Sequence, residues 1–177
     1  RLAPGNSSGS GARLAGEMGL RLPPSAGATV LKELPLEPLP LSRESASLIE
    51  AARARGRLRV GFVPGQAPYS HFNAKGELVG FDVEMAHALG RELGAPVEFA
   101  PVPRDQLVEI LEAGRVDIVM AGIMVTTRRA ARAAFSSPYL DETLAFVVPD
   151  HRRADFSDAE TVRAMDAVRL GVPDLPY

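Results

Sequence analysis

The chain has 177 residues, enough for one ordinary domain, and 46% of them are hydrophobic, which suffices for a packed core. Its 20 basic and 22 acidic residues are mixed along the sequence, so the charge pattern offers neither a basic stripe for nucleic acid nor an acidic tail. The absence of cysteine excludes disulfides, thiolate metal sites and cysteine nucleophiles. The composition therefore predicts a globular protein with no nucleic-acid partner.

Residues 1–45 differ in composition from the rest of the chain. They are rich in Gly, Ser, Pro and Leu and keep neither helical nor strand periodicity for long, which is typical of a linker or a disordered tail. The chain starts at Arg1 and shows no signal peptide and no apolar run of membrane-spanning length. We therefore expect it to be a piece of a longer protein, cut at both ends.

From residue 44 onward, helix and strand patterns alternate. A short helix is predicted around Leu48 and Ala52, with Gly56 as its stop. Strands are predicted at residues 58–63, 77–80, 97–100, 116–120, 143–148 and 168–172. The helices between them are predicted at residues 82–93, 105–113, 127–134 and 158–165. This alternation predicts an α/β fold with a mostly parallel sheet and helices on both faces.

Two polar residues of these helices receive structural interpretations. His87 falls opposite the apolar positions of the helix 82–93, so we expect it on the solvent-facing side. Asp105 precedes the next apolar helical pattern, so we expect it to cap that helix.

In an open parallel sheet, ligands bind beyond the carboxyl ends of the strands, so the loops after Val63, Ala100 and Met120 are the candidate site. The segment 121–129 follows a buried strand and opens a helix. Bare backbone N–H groups near Gly122 and an arginine one turn into the helix would suit a carboxylate. The alternative is that Thr126 only caps the helix and that the arginines at 128 and 129 face water.

The other two loops offer one further candidate each. Tyr69 could flank a ligand, or it could pack its loop onto the domain with its hydroxyl in water. Arg104 follows the strand 97–100 and has no evident structural partner in the sequence.

Motifs for catalysis are absent from the sequence. It contains no G-x-S-x-G elbow, no phosphate-binding P-loop and no H-E-x-x-H motif. The three histidines, His71, His87 and His151, lie far apart without metal-ligand spacing. We therefore predict no catalytic residues, no metal and no cofactor.

A series of motifs occurs in a fixed order between residues 57 and 139. They are Arg57-Leu-Arg-Val-Gly61, Pro68-Tyr69, Gly76-Glu-Leu-Val-Gly-Phe-Asp-Val83, Leu93-Gly94 with Val97-Glu-Phe99, Gly114-Arg-Val-Asp-Ile118, Ala121-Gly122 with Thr126 and Arg129, and Phe135-Ser-Ser-Pro-Tyr139. Together they resemble the family 3 extracellular solute-binding proteins, the amino-acid-type binding proteins of bacterial ABC importers. The resemblance covers residues 55–150 well and 151–177 loosely.

The resemblance implies a type II periplasmic-binding-protein fold, in which two α/β lobes close on a ligand. Residues 46–149 would form the first lobe, and residues 150–177 the hinge and the start of an incomplete second lobe. It also implies a location in the periplasm or otherwise outside the cytoplasm, either free or tethered to the inner membrane. The partners it implies are a small-molecule ligand and a membrane transporter.

The resemblance also implies roles for individual residues. Tyr69 would contribute the first-loop aromatic ring, Ala121, Gly122 and Thr126 would line the ligand, and Arg129 would hold its α-carboxylate. Residues 171–177 lack the glycine-threonine turn of the family's second lobe, so no contacts are assigned there.

Three departures from the family pattern bear on the ligand. Val63 stands where many relatives have an acidic residue, Arg104 where many have an aromatic residue, and Met124 where Thr or Ser is usual. Losing a carboxylate and gaining a guanidinium favours anions, so we expect an acidic amino acid or a dicarboxylate. Met124 and Arg104 are thus added to the expected ligand-binding residues.

The same domain could serve in other contexts. It could be attached to a cation:dicarboxylate symporter or to a sensor kinase, or it could be an enzyme such as a cyclohexadienyl dehydratase or part of a transglycosylase. A dehydratase would need an acid in the cleft, for which Asp82 and Asp105 are the candidates.

Overall fold

The computed structural model describes residues 8–40, 47–141, 147–169 and 171. The chain divides into two compact units, Arg1–Phe135 and Ser136–Tyr177, and the predicted lobe boundary near residue 149 lies inside the second unit. The described helices are α1 Ser8–Glu17, α2 Leu48–Arg55, α3 Phe81–Leu93, α4 Leu107–Glu112, α5 Thr127–Ala130 and α6 Ala159–Arg163. The described strands are β1 Thr29–Val30, β2 Leu58–Phe62, β3 His71–Phe72, β4 Leu78–Val79, β5 Val97–Pro101 and β6 Ile118–Val119.

A parallel sheet organises the first unit. Its strand order is β1-β5-β2-β6, and every pairing is parallel, while β3 and β4 form a separate antiparallel pair. All residues of the central strand β2 are buried, as expected for a parallel strand covered on both faces. The predicted α/β fold with a parallel sheet is confirmed.

Side chains alternate between two cores on opposite faces of the sheet. One core combines β2 and β5 with α2 and α3, and its largest members are Phe62, Phe99, Leu58, Val83 and Val97. The other core combines the ends of the same strands with α4, and it contains Val63, Val102, Leu107, Ile110 and Val116. Helices therefore pack on both faces, as the alternating pattern predicted.

At α2 the predicted stop at Gly56 is confirmed, and the helix begins at Leu48, after Ser47. The hydroxyl of Ser47 accepts a hydrogen bond from the backbone N–H of Glu50 at 3.2 Å, which satisfies one of the free donors of the first turn. Gly56 ends the helix in the left-handed conformation, with φ of 70°. At α4, however, the predicted cap is wrong: Asp105 lies inside a 3-10 turn, Arg104–Gln106, and α4 begins without a side-chain cap.

The segment before residue 46 was predicted to be a disordered linker or tail, and over residues 8–40 this is wrong. It contains α1 and β1, and β1 adds an edge strand beside β5. Leu39 is buried, and its backbone N–H donates to the carbonyl of Gly114 at 2.7 Å. Arg115 donates to the carbonyl of Pro35 at 2.8 Å. Because scattered hydrogen bonds and single buried side chains hold this segment, its order leaves no periodic pattern in the sequence.

The prediction that His87 faces solvent is also wrong. His87 is only 5% exposed, and its Nδ1 accepts a hydrogen bond from the backbone N–H of Ser25 at 3.1 Å. Its ring meets the ring of Phe99 edge to face, with centroids 5.1 Å apart. The outer side of α3 at this point is covered by the N-terminal segment, which the periodicity of α3 alone does not reveal.

Acidification is expected to destabilise the protein through His87. Burial, with a smaller contribution from Arg91, lowers the pKa of His87 below its ordinary value, whereas Glu84 raises it slightly. The unfolded chain therefore binds a proton below pH ~6.5 that the folded state resists, so the free energy of unfolding falls as the pH drops through that range. Urea unfolding at pH 7.5 and 5.5 measures the effect.

His87→Gln should flatten this dependence, whereas the exposed His151, replaced in the same way, should leave it unchanged. Equal pH slopes in wild type and His87→Gln would contradict the assignment.

In the second unit, the predicted helix 158–165 is present as α6. Asp158 caps it, with its carboxylate accepting from the N–H of Thr161 at 2.8 Å. Most of the predicted strand 143–148 lies outside the described residues, and Val147 and Val148 are not in a strand. In the predicted strand 168–172, Val168, Arg169 and Gly171 are likewise irregular, and the other positions lie outside the described residues.

Candidate functional site

Three parallel strands end at the same edge of the sheet and deliver the candidate residues there. The loop 63–70 follows β2, the 3-10 turn 104–106 follows β5, and the segment 120–126 follows β6 and leads into α5. Because β2 lies between β5 and β6, these loops are neighbours.

The loops after β2 and β5 are joined by a hydrogen bond between two side chains. Arg104 Nη1 donates to Gln66 Oε1 at 2.9 Å. The backbone of Gln66 is itself held, because its N–H donates to the carbonyl of Ser70 at 2.8 Å and its carbonyl accepts from the N–H groups of Tyr69 and Ser70. Val63, which stands where many relatives have an acidic residue, is buried in the second core.

Tyr69 packs its ring against Gly122. Gly122 has φ of 60°, and a Cβ placed there would lie 2.7 Å from Cγ of Tyr69. Only glycine therefore satisfies both the backbone conformation and the close approach of the ring.

Asp82 supports this contact from α3, and sequence reasoning missed its role. Its carboxylate is buried and accepts the backbone N–H of Gly122, while its own N–H donates to the carbonyl of Tyr69 at 3.1 Å. Asp82 thus ties two loops of the site together, and it occupies the one N–H that Gly122 could have offered to a ligand. The available signal was an acidic residue in the first helical turn directly after Gly80-Phe81.

The start of α5 contains features of both predicted alternatives. Thr126 caps the helix, with its hydroxyl accepting from the N–H of Arg129 at 3.3 Å. Arg128 is exposed, but Arg129 is partly buried and its guanidinium turns back to donate to the carbonyl of Met124 at 3.2 Å. Met124 itself is 45% exposed at the end of this turn. Ala121, at the other end of the segment, is fully buried in the second core.

Two arginines of the site, Arg104 and Arg129, lie near each other. Burial, followed by the charges of Arg104 and Arg128, lowers the pKa of Arg129, so the guanidiniums of Arg104 and Arg129 lie close enough to repel each other. Some other arginines of the first unit form ion pairs, as Arg55 does with Asp117 at 2.6 Å. Within the described residues, Arg104 and Arg129 form no ion pair.

The family of the chain follows from comparison with known proteins. Residues 58–171 match the family described as bacterial extracellular solute-binding proteins, family 3. The chain belongs to this family. The match includes every strand-end loop of the site and confirms the resemblance found in the sequence.

Several relatives of this family 3 solute-binding protein are named for amino acids. The histidine-binding periplasmic protein of Salmonella typhimurium is 33% identical over 117 residues, which cover 66% of this chain and 43% of the relative. The arginine-binding periplasmic protein of Mannheimia haemolytica is 31% identical over 99 residues, covering 56% and 41%. The chain thus spans less than half the length of these relatives.

Solved structures of the same fold include both binding proteins and an enzyme. An ancestral cyclohexadienyl dehydratase has a TM-score of 0.53 and 38% identity, covering 54% of this chain and 40% of its own. A variant of domain 1 of the arginine-binding protein TmArgBP, in its arginine-bound form, has a TM-score of 0.51 and 32% identity, covering 52% and 72%. These neighbours confirm the type II periplasmic-binding-protein fold.

The described residues show neither a metal-binding cluster nor a membrane-spanning helix. Among the described residues, no group of three or more His, Cys, Asp or Glu side chains is arranged to hold a metal ion. No helix within the described ranges is both long and apolar enough to cross a bilayer.

The contact between Tyr69 and Gly122 gives a testable expectation for this solute-binding protein. Gly122→Ala should lower the free energy of unfolding by more than about 1 kcal/mol, because it adds a collision with the Tyr69 ring to the cost of a left-handed alanine. Gly65→Ala is the matched control, since Gly65 has φ of 75° but nothing within 4 Å of a Cβ. Denaturant unfolding of both variants measures the difference.

Equal losses in the two variants would show that the Tyr69 ring yields without cost. Adding Tyr69→Ala to the Gly122→Ala variant should recover part of the loss, because it removes the collision.

Proposed function

We propose that this domain binds a small polar solute outside the cytoplasm for delivery to a membrane transporter. The observation that carries the proposal is the partly buried guanidinium of Arg129, which lies beside Arg104 at the carboxyl edge of the sheet without a carboxylate partner. A cation held in this way is suited to a ligand carboxylate, which would supply the missing charge through two parallel hydrogen bonds. Membership in family 3 and the periplasmic relatives support the same function.

The ligand we propose is an acidic amino acid or a dicarboxylate. None of the candidate residues carries a negative charge, whereas two are arginines; the set is Tyr69, Arg104, Ala121, Gly122, Met124, Thr126 and Arg129. Asp82 is not counted among the ligand contacts, because its carboxylate is buried and accepts the N–H of Gly122. The relatives named for histidine and arginine make the cationic amino acids the natural competitors.

A thermal-shift comparison of ligands tests both parts of the proposal. We expect L-glutamate or succinate to raise the Tm of the protein, and L-arginine and L-histidine to raise it less or not at all, because the two guanidiniums repel a cationic side chain. The measurement is made on this chain. The arginine-bound domain 1 of TmArgBP supports testing the first lobe by itself.

A Tm raised by arginine and not by glutamate or succinate would contradict the anionic preference while leaving the binding function intact. No shift with any of the four would remove the main support for a binding protein.

The proposed partner is a membrane transporter, and the proposed preference of the site for anionic ligands bears on which kind of transporter it is. A separate ABC importer is supported by relatives such as the putative ABC transporter arginine-binding protein 2 of Escherichia coli, 34% identical over 97 residues. A transporter-fused or sensor domain, for instance on a cation:dicarboxylate symporter, is the alternative that the two arginines favour. The proposed location is the periplasm or another extracytoplasmic compartment, either free or tethered to the inner membrane.

A dehydratase is the second candidate function, favoured by the likeness to an ancestral cyclohexadienyl dehydratase. Such an enzyme needs a carboxylic acid in its cleft. Asp82 is buried and accepts from Gly122, which leaves Asp105, exposed beside Arg104, as the candidate acid. Incubation with prephenate, followed by ultraviolet absorbance, tests for this activity, and loss of that activity in Asp105→Asn would assign the acid.

A further inference from the structure

We infer that Gln66 is a positioning residue that holds the Arg104 guanidinium in place as a second cation of the site, and that this gives the protein its preference for ligands with two carboxylates. The inference rests on the proposed binding function. It adds a residue outside the predicted set and a reason for choosing between ligands of one and two negative charges.

Gln66 lies in a turn that backbone hydrogen bonds hold in place. Its backbone N–H and carbonyl form three hydrogen bonds with Tyr69 and Ser70, between 2.8 and 2.9 Å. The hydroxyl of Ser70 donates to the carbonyl of Val63 at 2.8 Å, which joins the end of the loop 63–70 to its beginning. A side chain on such a turn can orient its partner at little further cost in conformational entropy.

The partner of Arg104 is neutral. Some arginines of the first unit meet carboxylates, as Arg59 meets Glu98 and Arg132 meets both Glu109 and Glu112, whereas others, such as Arg115, donate to backbone carbonyls. Arg104 instead donates to an amide oxygen, which orients the guanidinium without cancelling its charge. A glutamate in place of Gln66 would make the same contact and neutralise it.

Arg104 and Arg129 each keep guanidinium N–H donors that form no hydrogen bond with a described residue. A guanidinium has five N–H donors, and the described contacts of Arg104 and Arg129 use Nη1 of each, toward Gln66 and Met124 respectively. The Nε of Arg104 is buried and has no partner in the described residues. Arg104 and Arg129 repel each other. A ligand with two carboxylates can neutralise both guanidiniums, whereas a ligand with one carboxylate can neutralise only one of them.

L-glutamate and L-glutamine are the probes, because they have nearly the same shape and differ by one charge. Isothermal titration of wild type should give tighter binding of glutamate, and Gln66→Leu should reduce that preference about tenfold by releasing Arg104. Gln66→Glu should reduce it as much or more although it keeps an acceptor for Arg104. A purely structural role for Gln66 would weaken both ligands equally and would tolerate the glutamate.

Arg104→Ala provides the background that decides the mechanism. If Gln66 acts through Arg104, Gln66→Leu changes the preference for glutamate in the wild-type background and has no effect on it in Arg104→Ala. An equal change in both backgrounds, or an unchanged preference in Gln66→Leu and Gln66→Glu, overturns the inference.

The failure of this inference differs from the failure of the proposed function. If wild type binds glutamate and glutamine equally and Arg129→Ala abolishes both, binding stands and the role of Gln66 is wrong. If wild type binds neither these nor any amino acid or dicarboxylate, both are wrong.

Discussion

Arg129→Ala is expected to weaken the binding of an acidic ligand by about 2–4 kcal/mol, which corresponds to roughly 30- to 1,000-fold in Kd. The guanidinium is partly buried and forms no ion pair with a described carboxylate, so we expect a ligand carboxylate to accept charge-assisted hydrogen bonds from it that the variant cannot form. Isothermal titration with L-glutamate and succinate measures the loss.

Arg128→Ala is the control that separates this contact from the general charge of the site. Arg128 is the adjacent residue, has the same charge and is exposed, so its removal should change the affinity by less than about 1 kcal/mol. Equal losses in the two variants would mean that the ligand senses only the net charge of α5. The unfolding transition of Arg129→Ala should stay close to that of wild type, because its described hydrogen bond is to a single carbonyl.

Phe99→Ala is expected to lower the free energy of unfolding by about 3–5 kcal/mol, a large part of the 5–15 kcal/mol typical of a domain. Phe99 is 2% exposed, lies on the paired strand β5, and contacts the rings of Phe62 and His87. Removing it leaves a cavity at the junction of α3, the sheet and the N-terminal segment. Urea unfolding followed by circular dichroism measures the change.

Phe135→Ala removes the same side chain from a position that is 37% exposed and should cost less than half as much. Comparable losses in the two variants would mean that the first core is less tightly packed than the burial of Phe99 indicates. Because Phe99 holds His87, the Phe99→Ala variant should also lose part of the pH dependence expected from His87.

The predicted ends of the parallel strands suffice to bring the loops of the candidate site together, without any knowledge of the side-chain contacts between them. Parallel strands with short crossovers must end at the same edge, so the loops after β2, β5 and β6 had to be neighbours. The hydrogen bonds of Arg104 with Gln66 and of Gly122 with Asp82 could not be predicted in this way, because the partners lie 38 positions apart in the first pair and 40 in the second. No local pattern distinguishes these partners from other polar residues in loops.

The sequence by itself determined the features that arise within a few residues of one another. Gly56 and Thr126 mark helix ends through hydrogen bonds that reach three or four positions, and short apolar runs mark the strands that form the sheet. The parallel α/β fold, the family and the position of Arg129 at the start of α5 all follow from such local order.

Only the tertiary structure decided which surfaces are covered. His87 has the periodicity of an exposed helix residue, yet Ser25, which lies 62 positions earlier, closes over it. The segment before residue 46 has the composition of a tail, yet β1 pairs with β5 and Leu39 is buried. Burial depends on what a distant segment does, and its free energy comes from many weak contacts that leave no period in the sequence.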